Sequence, residues 1–135
     1  MGCESVAAVV DDDESVRVAL ASLLRSAGLT VILFSSAEEL LLSRNLPSIE
    51  CLILDWRMPG MDGLQLQKHL DANGWRIPTI FLTAHQSEEG RAQALSGGAL
   101  AFLHKPVDAE VLLTAVRSGL SPKLHIRHTF PPSLA

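Results

Sequence analysis

Four places in this chain carry side chains that could do chemistry together, and each follows a short apolar run. Asp11, Asp12 and Asp13 close the run Val6 to Val10 (VAAVV), and Asp55 closes Leu52 to Leu54 within CLILDWRMPGMDG (51–63). Thr83 closes PTIFLT (78–83), and Lys105 stands in HKP (104–106) behind the run that begins at Ala99. Several carboxylates in one pocket repel one another and need a cation. Hard oxygen ligands, with no cysteine or suitably spaced histidine, suit Mg²⁺, which keeps several waters and favours a phosphate partner. A lysine at the same edge neutralises a phosphoryl group, and a threonine hydroxyl hydrogen-bonds one of its oxygens. The remaining carboxylate is then a nucleophile able to form an acyl phosphate. The residues therefore point to Mg²⁺-assisted phosphorylation of an aspartate. No Walker-type glycine loop with its lysine is present to hold a nucleotide, so the phosphoryl donor comes from outside the chain.

The elements that must position these groups alternate along the chain. Continuous apolar runs of four to eight residues bounded by turn signals read as strands buried on both faces of a parallel sheet. They are expected at Val6 to Val10, Thr30 to Phe34, Cys51 to Asp55, Pro78 to Thr83 and Ala99 to Leu103. Val16, Leu20, Leu23, Leu24 and Ala27 recur at helical spacing, which predicts a helix over 14–27 ended by Gly28. Ser35 or Ser36 caps a short second helix, with Ser36, Glu38 and Glu39 resembling a capping box. Leu64, Leu66 and Leu70 mark a third helix started at Asp62 and closed near Asn73-Gly74. Ser87 to Leu95 is a polar, alanine-rich fourth helix. Asp108 starts a fifth, with Val111, Leu112, Ala115 and Val116 on its core face. Five strands alternating with five helices call for an α/β fold with helices on both faces of a five-stranded parallel sheet. Right-handed crossovers bring the strand ends, with Asp11 to Asp13, Asp55, Thr83 and Lys105, to one edge. An acid at such an edge is either chemistry or a cap for the next helix. Asp13 and Asp62 are the better placed caps, which favours chemistry over capping at Asp55.

A chain of 135 residues that is 47% hydrophobic has room for one domain with a proper core. The net charge of −4 argues against direct nucleic-acid binding. No apolar run reaches membrane-spanning length, and the start lacks the features of a secretion signal. Met-Gly-Cys opens the chain, but Val6 stands where a myristoylation signal wants Ser or Thr. Cys3 and Cys51 match no metal or redox spacing, and Cys51 reads as a small buried apolar residue. The expected location is cytoplasmic. One domain is placed at 1–120, with a loosely ordered tail over 121–135.

Four segments, VVDDDESVR (9–17), LILDWRMPGMDG (52–63), IFLTAH (80–85) and FLHKP (102–106), occur in one order and at one spacing. In this combination the chain resembles the response-regulator receiver domains of two-component signalling, of the nitrogen-fixation regulator type, over about residues 5 to 120. The resemblance implies a doubly wound, flavodoxin-like (βα)₅ fold with strand order 2-1-3-4-5. It implies that Asp55 is the phospho-acceptor and that Asp11 and Asp12 are the acidic pair, Asp12 being favoured as the direct metal ligand. The backbone carbonyl of Arg57 would complete the Mg²⁺ ligands. Thr83 matches the switch hydroxyl, with small Ala84 beside it, and Lys105 matches the phosphate-binding lysine, its bond to Pro106 being cis. Phe102 stands at the switch aromatic position, where a movement of Thr83 would open space for it; a core phenylalanine is its other reading. His85 and Arg57 flank the site at positions that tune hydrolysis. Trp56 departs from the usual aliphatic residue after the acceptor. The implied partner is a sensor histidine kinase, and the implied output face comprises the fourth helix, fifth strand and fifth helix, which would also support a homodimer.

Two rival functions remain at this level. A haloacid-dehalogenase-like phosphatase also uses a strand-end aspartate with Mg²⁺, but it wants a second acid two residues on, where Arg57 stands. A non-phosphorylated interaction module would be expected to lack the acceptor, the acid pair or the lysine, and all are present. The chain is read as a switch that catalyses only its own phosphorylation and dephosphorylation. It is either free-standing or part of a longer transcription regulator.

Overall fold

The computed structural model describes residues 5–85 and 87–126. Its centre is a five-stranded parallel sheet built from β1 (Val6–Val10), β2 (Thr30–Phe34), β3 (Cys51–Asp55), β4 (Thr79–Thr83) and β5 (Ala101–His104), in the order β2-β1-β3-β4-β5. Between and after the strands run α1 (Glu14–Ser26), α2 (Ala37–Leu41), α3 (Gly63–Ala72), α4 (Glu88–Ser96) and α5 (Ala109–Ile126). All ladders are parallel, with Val10 opposite Leu54, Asp55 opposite Leu82, and Thr83 opposite His104. Asp55 and the ends of β1, β4 and β5 thus reach the same edge.

Alternate residues of each strand feed two cores, because successive side chains of a strand point to opposite faces. Ala7, Val9, Cys51, Ile53, Ile80 and Leu82 pack with Leu20 and Leu24 of α1 and Leu112 and Val116 of α5. Ala8, Val10, Leu52, Leu54 and Phe81 pack with Leu40 of α2, Leu66 and Leu70 of α3, and Ala94 of α4. Every residue of β3 and β4 is buried, as continuous apolar runs require. Burial pushes the Cys51 thiol up to about 12, so it sits in the core as an inert apolar group.

Local chemistry sets the helix ends. Asp13 caps α1 by accepting from Ser15 and Val16, and Asp62 closes a capping box with Gln65 at the start of α3. Asp108 accepts from Glu110 and Val111 at the start of α5. After α1, Gly28 takes φ 92°, and its N–H and that of Leu29 bond back to Arg25 and Leu24, the left-handed closure that glycine adopts without penalty.

Three differences from the sequence reading are larger than a one-residue shift. β5 begins at Ala101 and not at Ala99, because the Ala99 N–H closes α4 onto the Ala94 carbonyl and the Leu100 N–H bonds to Thr79. The segment around Pro47, expected as a loop, contains a single 3₁₀ turn at Leu46–Ser48. The last helix does not stop near Leu120, where the loose tail was placed, but continues as helical backbone to Ile126. In the sequence, Leu112, Val116, Leu120 and Leu124 keep a four-residue spacing across that point. The rest of the tail, 127–135, lies outside the described residues.

One close approach fixes α3 beneath the sheet edge. A Cβ on Gly63 would lie 2.5 Å from the Asp55 carbonyl oxygen and 2.9 Å from Cε1 of Phe81. Alanine would gain up to about 1 kcal/mol in helix propensity, but overpacking against backbone and a buried ring costs about 1–3 kcal/mol. Gly63→Ala is therefore expected to lower stability by about 1–2 kcal/mol in urea unfolding, and an unchanged or raised midpoint would contradict this packing.

Candidate functional site

Asp55 ends β3 with its side chain only 9% exposed. Two residues along, the Arg57 N–H points at its Oδ1 from 3.4 Å. The Trp56 N–H is bound to the Leu82 carbonyl at 2.8 Å, so the chain leaves the sheet in a fixed direction. Asp11, at the end of the neighbouring β1, is still more buried. Its Oδ1 accepts the Asp13 N–H at 2.9 Å, and its carbonyl accepts from the Arg17 guanidinium at 2.7 Å. With Asp13 spent on capping α1, Asp11 and Asp12 are left for the pocket.

Carboxylate oxygens of Asp11, Asp12 and Asp55 all lie within 4.8 Å of one another. Lys105 reaches across from the end of β5, its Nζ 2.9 Å from Asp11 Oδ2 and 3.4 Å from Asp55 Oδ1. The Lys105–Pro106 peptide is cis. Burial, and behind it the charge of Asp11, raises the Asp55 carboxyl from 3.8 to about 6, while Lys105 and the Arg57 N–H pull it back only in part. Burial alone would lower the Lys105 ammonium, but the bond to Asp11 and the charges of Asp55 and Asp11 outweigh it and raise its pKa. The donor set is all hard oxygen, which fits a divalent cation of the Mg²⁺ or Ca²⁺ kind.

Other expected site residues stand differently. Thr83 is at the end of β4, but its hydroxyl is engaged locally, donating to the His85 carbonyl at 2.9 Å and accepting the His85 N–H at 3.1 Å. Phe102 is buried at 7% exposure, its ring edge-on to Trp56 at 4.9 Å between centroids. It already occupies the interior that a movement of Thr83 was expected to open. A cleft of about 180 Å³ lies beside it, lined by Thr83, Ser87, Glu88, Arg91, Phe102 and His104. Arg57 and His85 are exposed at the rim.

Two residues that shape the site escaped the sequence reading. Glu38, read as part of a capping box, instead accepts the Met61 N–H at 3.2 Å and steadies the turn after Asp55. Its neighbour Glu39 takes the capping role, accepting the Ser35 N–H. Arg17 lies within a recognised segment, yet no periodicity marks its contact with Asp11.

The raised Asp55 has a consequence for stability. An ordinary aspartate titrates near 3.8 and folded Asp55 near 6, so stability present below about pH 4 is lost as pH rises through about 6. In divalent-free buffer, Asp55→Asn is expected to exceed wild type by about 1–2 kcal/mol at about pH 7.5 and to converge with it near pH 4. Unfolding midpoints across that range test this, and a difference that stays flat with pH would contradict it.

A family model, the response regulator receiver domain, matches residues 7–117. The response regulator protein TodT of Pseudomonas putida is 45% identical over 116 residues, 86% of this chain and 51% of TodT. The transcriptional regulatory protein FixJ of Azorhizobium caulinodans is 40% identical over 112 residues, 83% of this chain and 53% of FixJ. The chain thus spans about half the length of these curated relatives. Among solved structures, the response regulator StyR superposes with a TM-score of 0.85 at 42% identity, over 93% of this chain and 64% of that one. FixJ-N superposes with a TM-score of 0.79 at 31% identity, over 89% and 96%. Sheet order, the family match along most of the chain and these relatives converge: the chain belongs to the response regulator receiver domain family of two-component signalling.

Proposed function

We propose that Asp55 is the phospho-acceptor of this receiver, taking a phosphoryl group from a sensor histidine kinase in a Mg²⁺-dependent transfer. The observation that carries this reading is the cluster of Asp11, Asp12 and Asp55 within 4.8 Å, with Lys105 bridging Asp11 and Asp55. An Asp55 carboxylate oxygen attacks phosphorus as the bond to the donor's histidine nitrogen breaks, leaving an aspartyl phosphate. Asp55 titrates near 6, so most of it is ionised and nucleophilic at neutral pH. Lys105 needs only a short shift to pair with a phosphoryl oxygen. The Thr83 hydroxyl donates to another after releasing the His85 carbonyl, and both bonds are charge-assisted. Asp11, Asp12, Asp55 and the backbone carbonyl of Arg57 would hold Mg²⁺, which when bound supplies the positive charge that offsets the carboxylates and the incoming phosphoryl oxygens.

The wider role follows the relatives. The domain acts in the cytoplasm as a switch, regulating transcription as part of a longer regulator. Its output face comprises α4, β5 and α5, which also pairs with a second copy. Nucleic acid is not contacted by these residues, in keeping with the net charge of −4. Among the described residues no helix is long and apolar enough to cross a membrane. Membership of the receiver family displaces the phosphatase alternative.

Incubation with acetyl phosphate and Mg²⁺, followed by intact-mass measurement, should show one phosphoryl adduct on the wild type and none on Asp55→Asn. Chelation of Mg²⁺ should abolish loading, and Lys105→Ala should slow it on the order of 100-fold. An adduct that survives in Asp55→Asn, or loading indifferent to chelation, would overturn the assignment.

A further inference from the structure

The residue after the acceptor carries a ring that no part of the phosphotransfer uses. Trp56 is 9% exposed and stands edge-on to two other rings, with centroids 5.0 Å from Phe81 and 4.9 Å from Phe102. Its third neighbour is the backbone of α4. A Cβ on Gly90 would lie 3.1 Å from Cζ2 and 3.3 Å from Cε2 of the indole. The absence of a side chain at Gly90 is what lets the helix rest directly on the ring.

That seat matters because α4 has little else to hold it. Its buried residues are Gly90 and Ala94, and Leu95, its one large apolar side chain, is 38% exposed. The ring, by contrast, is pinned from the sheet side by Phe81 and Phe102. Its own backbone is tied at both ends, the N–H to Leu82 and the carbonyl to Gly63. A stiff ring against bare backbone passes on displacements of a few tenths of an ångström, because close-packed interiors do not absorb them.

We propose that Trp56 is a positioning residue that couples the state of Asp55 to α4 through its seat on Gly90. The proposal rests on Asp55 being the acceptor. Loading of Asp55 draws Thr83 away from His85 and frees the start of the loop into α4, while the Trp56 ring fixes where α4 settles. Linkage makes the coupling reciprocal: whatever binds α4 in its loaded position also favours the phosphoryl group on Asp55.

The test is amide hydrogen exchange on the full chain, with and without beryllofluoride and Mg²⁺, beside intact-mass phosphorylation by acetyl phosphate. In the wild type, loading should change exchange over 79–85 and over 88–96. Trp56→Leu should still be phosphorylated and keep the change over 79–85, while its change over 88–96 falls at least about fivefold. Gly90→Ala tests the same seat without altering the ring. Since the pinned indole cannot yield, α4 should exchange faster before any loading. An α4 response of wild-type size in Trp56→Leu, or unloaded α4 exchange unaltered in Gly90→Ala, overturns the coupling and leaves the acceptor intact. A wild type that takes no phosphoryl group overturns both.

Discussion

The structure depends on an electrostatic crowding that its own fold enforces. Asp55 ends a strand buried on both faces, and Asp11 ends the strand beside it, so neither carboxylate can retreat into water. With Asp12 they bring carboxylate oxygens within 4.8 Å of one another. At an effective dielectric near 20, each such pair repels by about 3–4 kcal/mol. Lys105 relieves part of this, but its ammonium is shared between Asp11 and Asp55 and lies closer to Asp11. Burial first and the Asp11 charge second raise the Asp55 carboxyl to about 6, and the weaker share of the lysine offsets them only in part. A site in this condition favours the arrival of a cation.

The remaining architecture keeps that condition from relaxing. Gly63 lets α3 press against the Asp55 carbonyl, Glu38 holds the turn at Met61, and Arg17 holds the Asp11 carbonyl. On the other side the fold is deliberately less firm. The Thr83 hydroxyl is occupied with the backbone of His85, donating to its carbonyl and accepting its N–H. Helix α4 follows immediately and presents little apolar surface to the core. Elements that move in switching come from the less stable end of a fold, and here the shallowly packed helix follows directly on Thr83 and His85.

The sheet was readable in the sequence because burial on both faces demands unbroken apolar runs, and the runs at Val6–Val10, Cys51–Asp55 and Thr79–Thr83 have little else to be. Placement of Asp11, Asp12, Asp55 and Lys105 at one edge followed from the parallel connections. Hidden from the sequence was everything decided by side-chain direction across elements. Phe102 could have faced outward or inward, and the rings it packs against, Trp56 just after β3 and Phe81 on β4, are distant from it in sequence. The choice of Glu38 for Met61, and of Glu39 for Ser35, turns on how α2 lies over the β3–α3 turn, a tertiary fact that a capping pattern does not encode. The late start of β5 arose because two residues after the glycine pair were used to finish α4 and to meet β4.

On the proposed function, one carboxylate of the crowded cluster, that of Asp55, becomes an acyl phosphate. Borohydride reduces an acyl phosphate to an alcohol and leaves free carboxylates alone, so it marks the acceptor covalently. Loading with acetyl phosphate and Mg²⁺, reduction, digestion and peptide mass mapping should find homoserine in place of Asp55, with Asp11, Asp12 and Asp13 unaltered. Reduction at any of those three positions, or no reduced residue after loading, would contradict the account.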